Sequence, residues 1–282
     1  SGANIYDTWE YPTREQLATR NQTLTTIARY ARSKFNTRLF PQYALLYMRA
    51  NMQLGRYKEN FQTYHKELWK LPKGVYADYC KNLYANALLH LNDRYKQSLY
   101  NRMATEIYAE QGDDLSLMWR LKGYRNVAGI RKIYAENPNS PALVYLIQQF
   151  VNGAQETIDS KGDTEAIEWI GFKPVYREDI NKFISFSSYV LAQGKVKDTG
   201  LWLAATAMLH YLQGQYVQAY NKAEQAMYAA GTSQAKETAR CIRLLASTKC
   251  HNLTDQYTDF LHQEFRWPTK HWPCFIAVIR TE

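Results

Sequence analysis

Between residues 159 and 176 the chain places Asp163, Glu165 and Glu168 beside Trp169. Two carboxylates flanking one bond can serve as acid and as base or nucleophile, and an aromatic ring offers a sugar a face, so this grouping has the parts of glycoside hydrolysis. Acidic residues at the start of a helix also favour the positive end of its dipole, and we adopt that simpler use for them here. A second set, Cys241, Cys250, His251 and His262, has the thiolates and imidazoles that suit zinc. Its spacing matches no compact ligand pattern, so these residues read as ordinary buried cysteines and scattered histidines, with no metal expected. His65, His90 and His210 fall in helical segments on or beside apolar faces, where a packed structural imidazole is expected. The chain has no GxxxxGK[ST], GxGxxG, HExxH or GxSxG to cradle phosphate, dinucleotide, zinc or a nucleophilic serine. The expectation is a protein that is not an enzyme and carries no cofactor.

The formal net charge of +9 raises the question of nucleic acid or anionic lipid. The basic residues are dispersed, however. The densest group, Arg102, Arg120, Lys122, Arg125, Arg131 and Lys132, has Glu106, Glu110, Asp113 and Asp114 close by, which is the mixed charge of solvated helix faces. No nucleic-acid partner is expected. The 23 tyrosines recur at helix-packing spacings and read as core and interface residues rather than base-stacking platforms. The four cysteines lack both a CxxC pair and the dense spacing of a disulfide-stapled domain, which leaves the redox compartment open. Spanning a bilayer takes about 18 to 20 apolar residues, and the best run, 201–212, is interrupted by Thr206 and His210, so no transmembrane segment is expected.

The elements that would position these side chains emerge from an internal repeat. In residues 41–72, Ala44, Tyr47, Met48 and Met52 form one helical apolar face that stops at Gly55. A second face of Tyr57, Phe61, Tyr64 and Leu68 follows and is closed by Pro72. Residues 200–231 repeat the plan, with Trp202, Ala205, Leu209 and Leu212 before Gly214, and Tyr216, Ala219, Ala223 and Ala226 after it. Glycine can take the left-handed conformation that folds one helix back on the next, and the small residues let the second helix approach closely. Each such pair leaves apolar surface that only a neighbour can bury.

The Gly-x-Tyr turn, the small residue at Ala219 and the terminal Pro72 resemble the tetratricopeptide (TPR) motif. Two positions depart from it: Asn60 stands where alanine is usual, and Gly231 stands where proline is usual. The resemblance implies an all-α fold, an α-solenoid of roughly six stacked antiparallel helical hairpins forming a TPR-like right-handed superhelix, as a single domain over 1–282. Degenerate pairs are expected at 76–91 with 95–110 around Asn92-Asp93, and at 115–121 with 127–136 around Gly123. Pro138 and Pro141 stop that helix and start the next at 142–158. An irregular insert at 159–176 breaks the rhythm, the amphipathic run from Ile180 to Leu191 resumes it, and 235–245 with 257–265 close the array.

In such arrays the first helices line a concave binding face. Carried onto this chain, that face holds Gln42, Leu45, Arg49 and Gln53 in the first window and Leu201, Ala204, Met208 and Leu212 in the second, with Leu201 and Met208 as its main candidates. Arg49 can hold a carboxylate, but the second window is apolar, so the two-carboxylate clamp of chaperone-binding TPR domains is not reproduced. An apolar groove for an amphipathic helix or extended peptide is the expectation. The function expected is therefore a non-enzymatic protein- or peptide-binding scaffold, with a helical-repeat hydrolase or transferase acting on glycan or peptidoglycan as the alternative. Residues 130–152 and 201–227 also resemble large TPR-like envelope proteins of gut bacteria, which implies the bacterial envelope or periplasm, with cytoplasm the alternative. Ser1-Gly2 reads as the remnant of a cleaved tag, and the uncapped apolar end TKHWPCFIAVIRTE as a sign of a fragment of a longer chain.

Overall fold

The computed structural model describes residues 11–95, 98–161, 164–165, 174–250 and 254–271. Among these residues the chain is all-α, with thirteen α-helices, two short 3-10 turns and no strand. No helix among them is long and apolar enough to cross a membrane. Contacts group the chain into two compact units, Ser1–Arg120 and Leu121–Glu282, where the sequence reading has one domain.

The first unit holds α1 (Arg14–Ser33), α2 (Phe40–Gln53), α3 (Tyr57–Lys66), α4 (Val75–Tyr95), α5 (Ser98–Glu110) and α6 (Asp114–Arg120). Thr13 starts α1 with a capping box: its hydroxyl accepts the Gln16 N–H at 3.2 Å, and its own N–H donates to the Gln16 side chain at 2.8 Å. Helix α1 packs on α2 through Leu24, Ala28 and Ala50. Helix α4 supplies the centre of the unit, with Cys80, Tyr84, Ala85, Leu88 and Leu91 buried against neighbours that include α3 and α5. The Tyr64 and Tyr84 rings stack there at 4.2 Å.

Gly55, at φ +68°, ends α2 in the left-handed conformation, and the Arg56 N–H reaches back to the Asn51 carbonyl at 2.9 Å. Gly112, at φ +64°, makes the same turn after α5, with the Asp113 N–H donating to the Tyr108 carbonyl at 2.9 Å. The sequence reading passed over Gly112 and placed a turn at Asn92-Asp93 instead. The backbone stays helical through both of those residues, because α4 carries its buried stripe on to Leu91 before it ends.

The second unit holds α7 (Val127–Glu136), α8 (Ala142–Asp159), α9 (Arg177–Gln193), α10 (Thr199–Leu212), α11 (Tyr216–Tyr228), α12 (Ser233–Cys250) and α13 (Asp255–His271). The pair read around Gly123 is therefore divided between the units. Gly123 does not take a left-handed φ; it lies in a 3-10 turn, and Asn126 caps α7 by accepting the Gly129 N–H at 2.8 Å. A Cβ at Gly129 would stand 2.3 Å from the Tyr124 carbonyl oxygen, so the turn and the helix start fit together only around glycine.

The core of this unit is an aromatic stack across α8, α9 and α10. Phe150 and Phe183 lie 5.1 Å apart, Phe183 and Trp202 lie 5.9 Å apart, and Phe186 and Tyr134 meet the Trp202 ring edge-on. Beyond it, alanines bring three helices together: Ala204, Ala226 and Ala239 form one cluster, and Ala207 and Ala223 join Ile242 in another. The turn at Gly214, φ +75°, repeats that at Gly55, with the Gln215 N–H donating to the His210 carbonyl at 2.9 Å.

Candidate functional site

Helices α8, α10 and α12 each turn one stripe of side chains towards a shared groove of about 380 Å³. On α10 the stripe is Leu201, Ala204, Ala205 and Met208; on α8 it is Val144, Ile147, Gln148, Val151, Asn152 and Gln155; on α12 it runs from Gln234 to Ile242. Spacings of three and four residues are what a helix needs to keep one face towards one neighbour. The opposite face of α8, with Leu143, Leu146, Phe150 and Ala154, is buried, so the helix cannot turn its polar stripe inward.

The mouth at the start of α10 is fixed by hydrogen bonds. The Asp198 carboxylate caps α10 by accepting the Leu201 N–H at 2.8 Å. The Gly200 N–H and the Thr199 hydroxyl both donate to the Ala230 carbonyl, at 2.8 and 3.1 Å, which ties the end of α11 to the start of α10. A Cβ at position 231 would fall 2.6 Å from the Asp198 carboxylate oxygen. Any side chain or ring at that position would displace the cap.

The groove's chemistry is apolar burial lined with amides. Among the described residues Asp198 is its one acid, and no lysine, arginine or histidine lines it. The side chains of Gln148, Asn152 and Gln234 have no hydrogen-bond partner among the described residues, and Gln148 and Gln234 are exposed. Burial pushes the Cys241 thiol up to about 11, so it stays protonated and poorly nucleophilic at neutral pH. The Cys80 thiol, in the first unit, is pushed by burial to about 12. Among the described residues no three His, Cys, Asp or Glu side chains come together as a metal site.

Of the residues named from the sequence, Leu201, Ala204 and Met208 line this groove, and Leu212 is half-buried outside it. Gln42, Leu45, Arg49 and Gln53 lie on α2 in the other unit. Gln53 accepts a hydrogen bond from Arg20 of α1, the Gln42 side-chain oxygen is buried without a partner, Leu45 is half-buried, and Arg49 is exposed and unpaired among the described residues. The contributions of α8 and α12 went unread. Their signal was present as mixed apolar and amide stripes at i, i+3, i+4 and i+7, which resemble an ordinary amphipathic face until their neighbour is known.

His65 lies 2.7 Å from the Tyr84 hydroxyl, His90 stacks on Tyr57 at 3.9 Å, and the His210 ring meets the Gln215 side chain at 2.5 Å, so all three are packing residues. Asp163, Glu168 and Trp169 lie outside the described residues, and Glu165 is exposed. Comparison with protein families, curated proteins and solved structures finds no match to this chain.

Proposed function

We propose that the chain is a non-enzymatic scaffold of TPR-like repeats whose groove between α8, α10 and α12 takes a peptide segment of a protein partner. The observation that carries this reading is the convergence of three one-sided stripes on one groove, with buried apolar side chains and, in Gln148, Asn152 and Gln234, amides that are unpaired among the described residues. Valine, isoleucine, leucine and methionine offer burial to alternate side chains of a bound peptide, while amides can both donate to and accept from its backbone. The matching left-handed turns at Gly55 and Gly214 support the repeat reading, in which helices pair as hairpins and stack.

The test is selection from a random twelve-residue peptide library against the purified chain, repeated with Leu201→Glu and Met208→Glu. Both positions are half-buried, so each variant places a charge in the groove without emptying the core. Peptides enriched by the original chain are expected to carry spaced apolar residues and to lose about tenfold or more in affinity to either variant. Failure to enrich any sequence, or enrichment that both variants leave intact, would remove the groove from consideration.

A further inference from the structure

A second cleft in the same unit, of about 490 Å³, lies between α7 and α9 and has a different chemistry. Helix α7 contributes Arg131 and Tyr134, helix α9 contributes Ser185, Phe186 and Tyr189, and Lys195 enters from the loop after α9. That loop is held in place. Gly194 leaves α9 in the left-handed conformation at φ +62°, and the Asn139 side chain then donates to the Lys195 carbonyl at 3.0 Å and accepts the Lys197 N–H at 2.8 Å. Asn139 follows α7 by three residues, so one side chain fastens the two ends of the cleft's walls together.

Two features of the cleft lack partners. The Tyr134 side chain is 7% exposed, yet its buried hydroxyl has no hydrogen-bond partner among the described residues. Buried hydroxyls are normally satisfied, and this one belongs to a residue that lines the cleft. Arg131 and Lys195 are both exposed and neither has a carboxylate partner among the described residues. The acids at the start of α9 are engaged elsewhere, because Lys182 holds Glu178 at 2.7 Å and Asp179 at 4.0 Å. The Arg131 guanidinium rests 4.9 Å over the Phe186 ring, a weak hold that an anion can displace. Beside it, the Tyr189 ring is 53% exposed and runs nearly parallel to Phe186, with a 20° tilt and centroids 6.1 Å apart.

We propose that this cleft binds a small aryl phosphate: Arg131 and Lys195 take the phosphate dianion, the Tyr134 hydroxyl donates to one of its oxygens, and the ring lies against Tyr189. Two cations without a carboxylate partner among the described residues match a doubly charged group better than a single carboxylate does, and the arginine fork can grip two oxygens at once. The proposal does not rest on the peptide groove, whose lining residues are separate.

Phenyl phosphate is the probe, titrated into the full chain by calorimetry, with inorganic phosphate and phenol as companion ligands. Saturable binding of phenyl phosphate is expected, at least about tenfold tighter than either companion. The double variant Arg131→Gln, Lys195→Gln should weaken it about tenfold or more, and Tyr134→Phe about threefold, with the far-UV circular dichroism unchanged. Leu201→Glu, in the peptide groove, should leave it unaltered. If no saturation occurs below about 10 mM, or if a folded Tyr134→Phe and the double variant both bind as before, the site is overturned. Inorganic phosphate binding as tightly as phenyl phosphate would overturn the role given to the Tyr189 ring.

Discussion

The Gly-x-Tyr turns at residues 55–57 and 214–216 make the same backbone hydrogen bonds, yet the helices that follow them are built differently. After Gly214, α11 offers Ala219, Ala223 and Ala226, all fully buried, and α10, α11 and α12 close around them. After Gly55, α3 carries Asn60 and Tyr64 at the first two equivalent places, and Glu67, at the third, already lies past its end, before a short 3-10 turn. Asn60 is as fully buried as Ala219, but its side-chain NH₂ donates to the Met48 carbonyl at 2.9 Å and its oxygen has no partner. A turn fixes where a helix reverses; the size of the side chains beyond it fixes how closely the next helix approaches. The alanine helix adjoins the groove, whereas the aromatic and polar one fills its own surroundings with rings.

The comparison can be broken most forcefully at Trp202, which is equivalent to Tyr43 in the first window. Trp202 is 2% exposed and touches Phe183, Phe186 and Tyr134, so Trp202→Ala is expected to destabilise its unit by about 4 kcal/mol in urea unfolding. Tyr43 is half-buried and meets the edge of Tyr30, and Tyr43→Ala should cost far less. Similar losses at the two sites would mean that the windows are more alike than their cores suggest.

Exchange at the small-residue position should be asymmetric. Ala219→Asn forces a larger polar group into a fully packed site and is expected to cost about 3 kcal/mol. Asn60→Ala removes one hydrogen bond but also one unsatisfied oxygen, for a loss of about 1 kcal/mol. Equal costs would contradict the packing argument.

The turns themselves should behave alike. Nothing lies within 4 Å of a Cβ at Gly214, and only the Tyr57 ring, at 4.0 Å, lies near one at Gly55. Gly55→Ala and Gly214→Ala should then each lose about 1 kcal/mol, the conformational cost of a left-handed residue. A large difference between the two would reveal strain in one turn that its hydrogen bonds do not show.

The smallest effect concerns pH and only the first unit. The Arg32 guanidinium, hydrogen-bonded to Glu67 at 2.6 and 2.9 Å, holds the Glu67 carboxyl below its ordinary range. A carboxyl lowered on folding contributes stability that is present above its unfolded pKa and fades as pH falls through the folded one. The pair is partly exposed, so Glu67→Gln should cost about 0.5 kcal/mol at neutral pH, and that difference should begin to fade as pH falls below the ordinary carboxyl range and vanish only once Glu67 is protonated in the folded state. A difference that persists in acid would assign the loss to packing instead of charge.

Much of the helical outline was legible locally. The run from Val127 to Glu136 was bounded from sequence where the structure bounds α7, because Pro138 forbids continuation and the apolar period is strong. Asn92-Asp93 misled, since an asparagine tolerates a turn without requiring one, and the packing of α4 carried the helix onward. Gly112 escaped because two acids, and no tyrosine, follow it; the left-handed turn needs only the glycine.

By itself the sequence determined the all-α class, the reversals at Gly55 and Gly214 and the stripe of Leu201, Ala204 and Met208, since each depends on neighbours within a turn or two of helix. Only the tertiary structure decided that the stripes of α8 and α12 face that of α10, and that Asn139 holds Lys195, 56 positions further along the chain, at the cleft that Arg131 also lines. Periodicity tells which face a helix buries. Which faces meet depends on how closely small residues let helices approach, and that is settled by the packing of the whole unit.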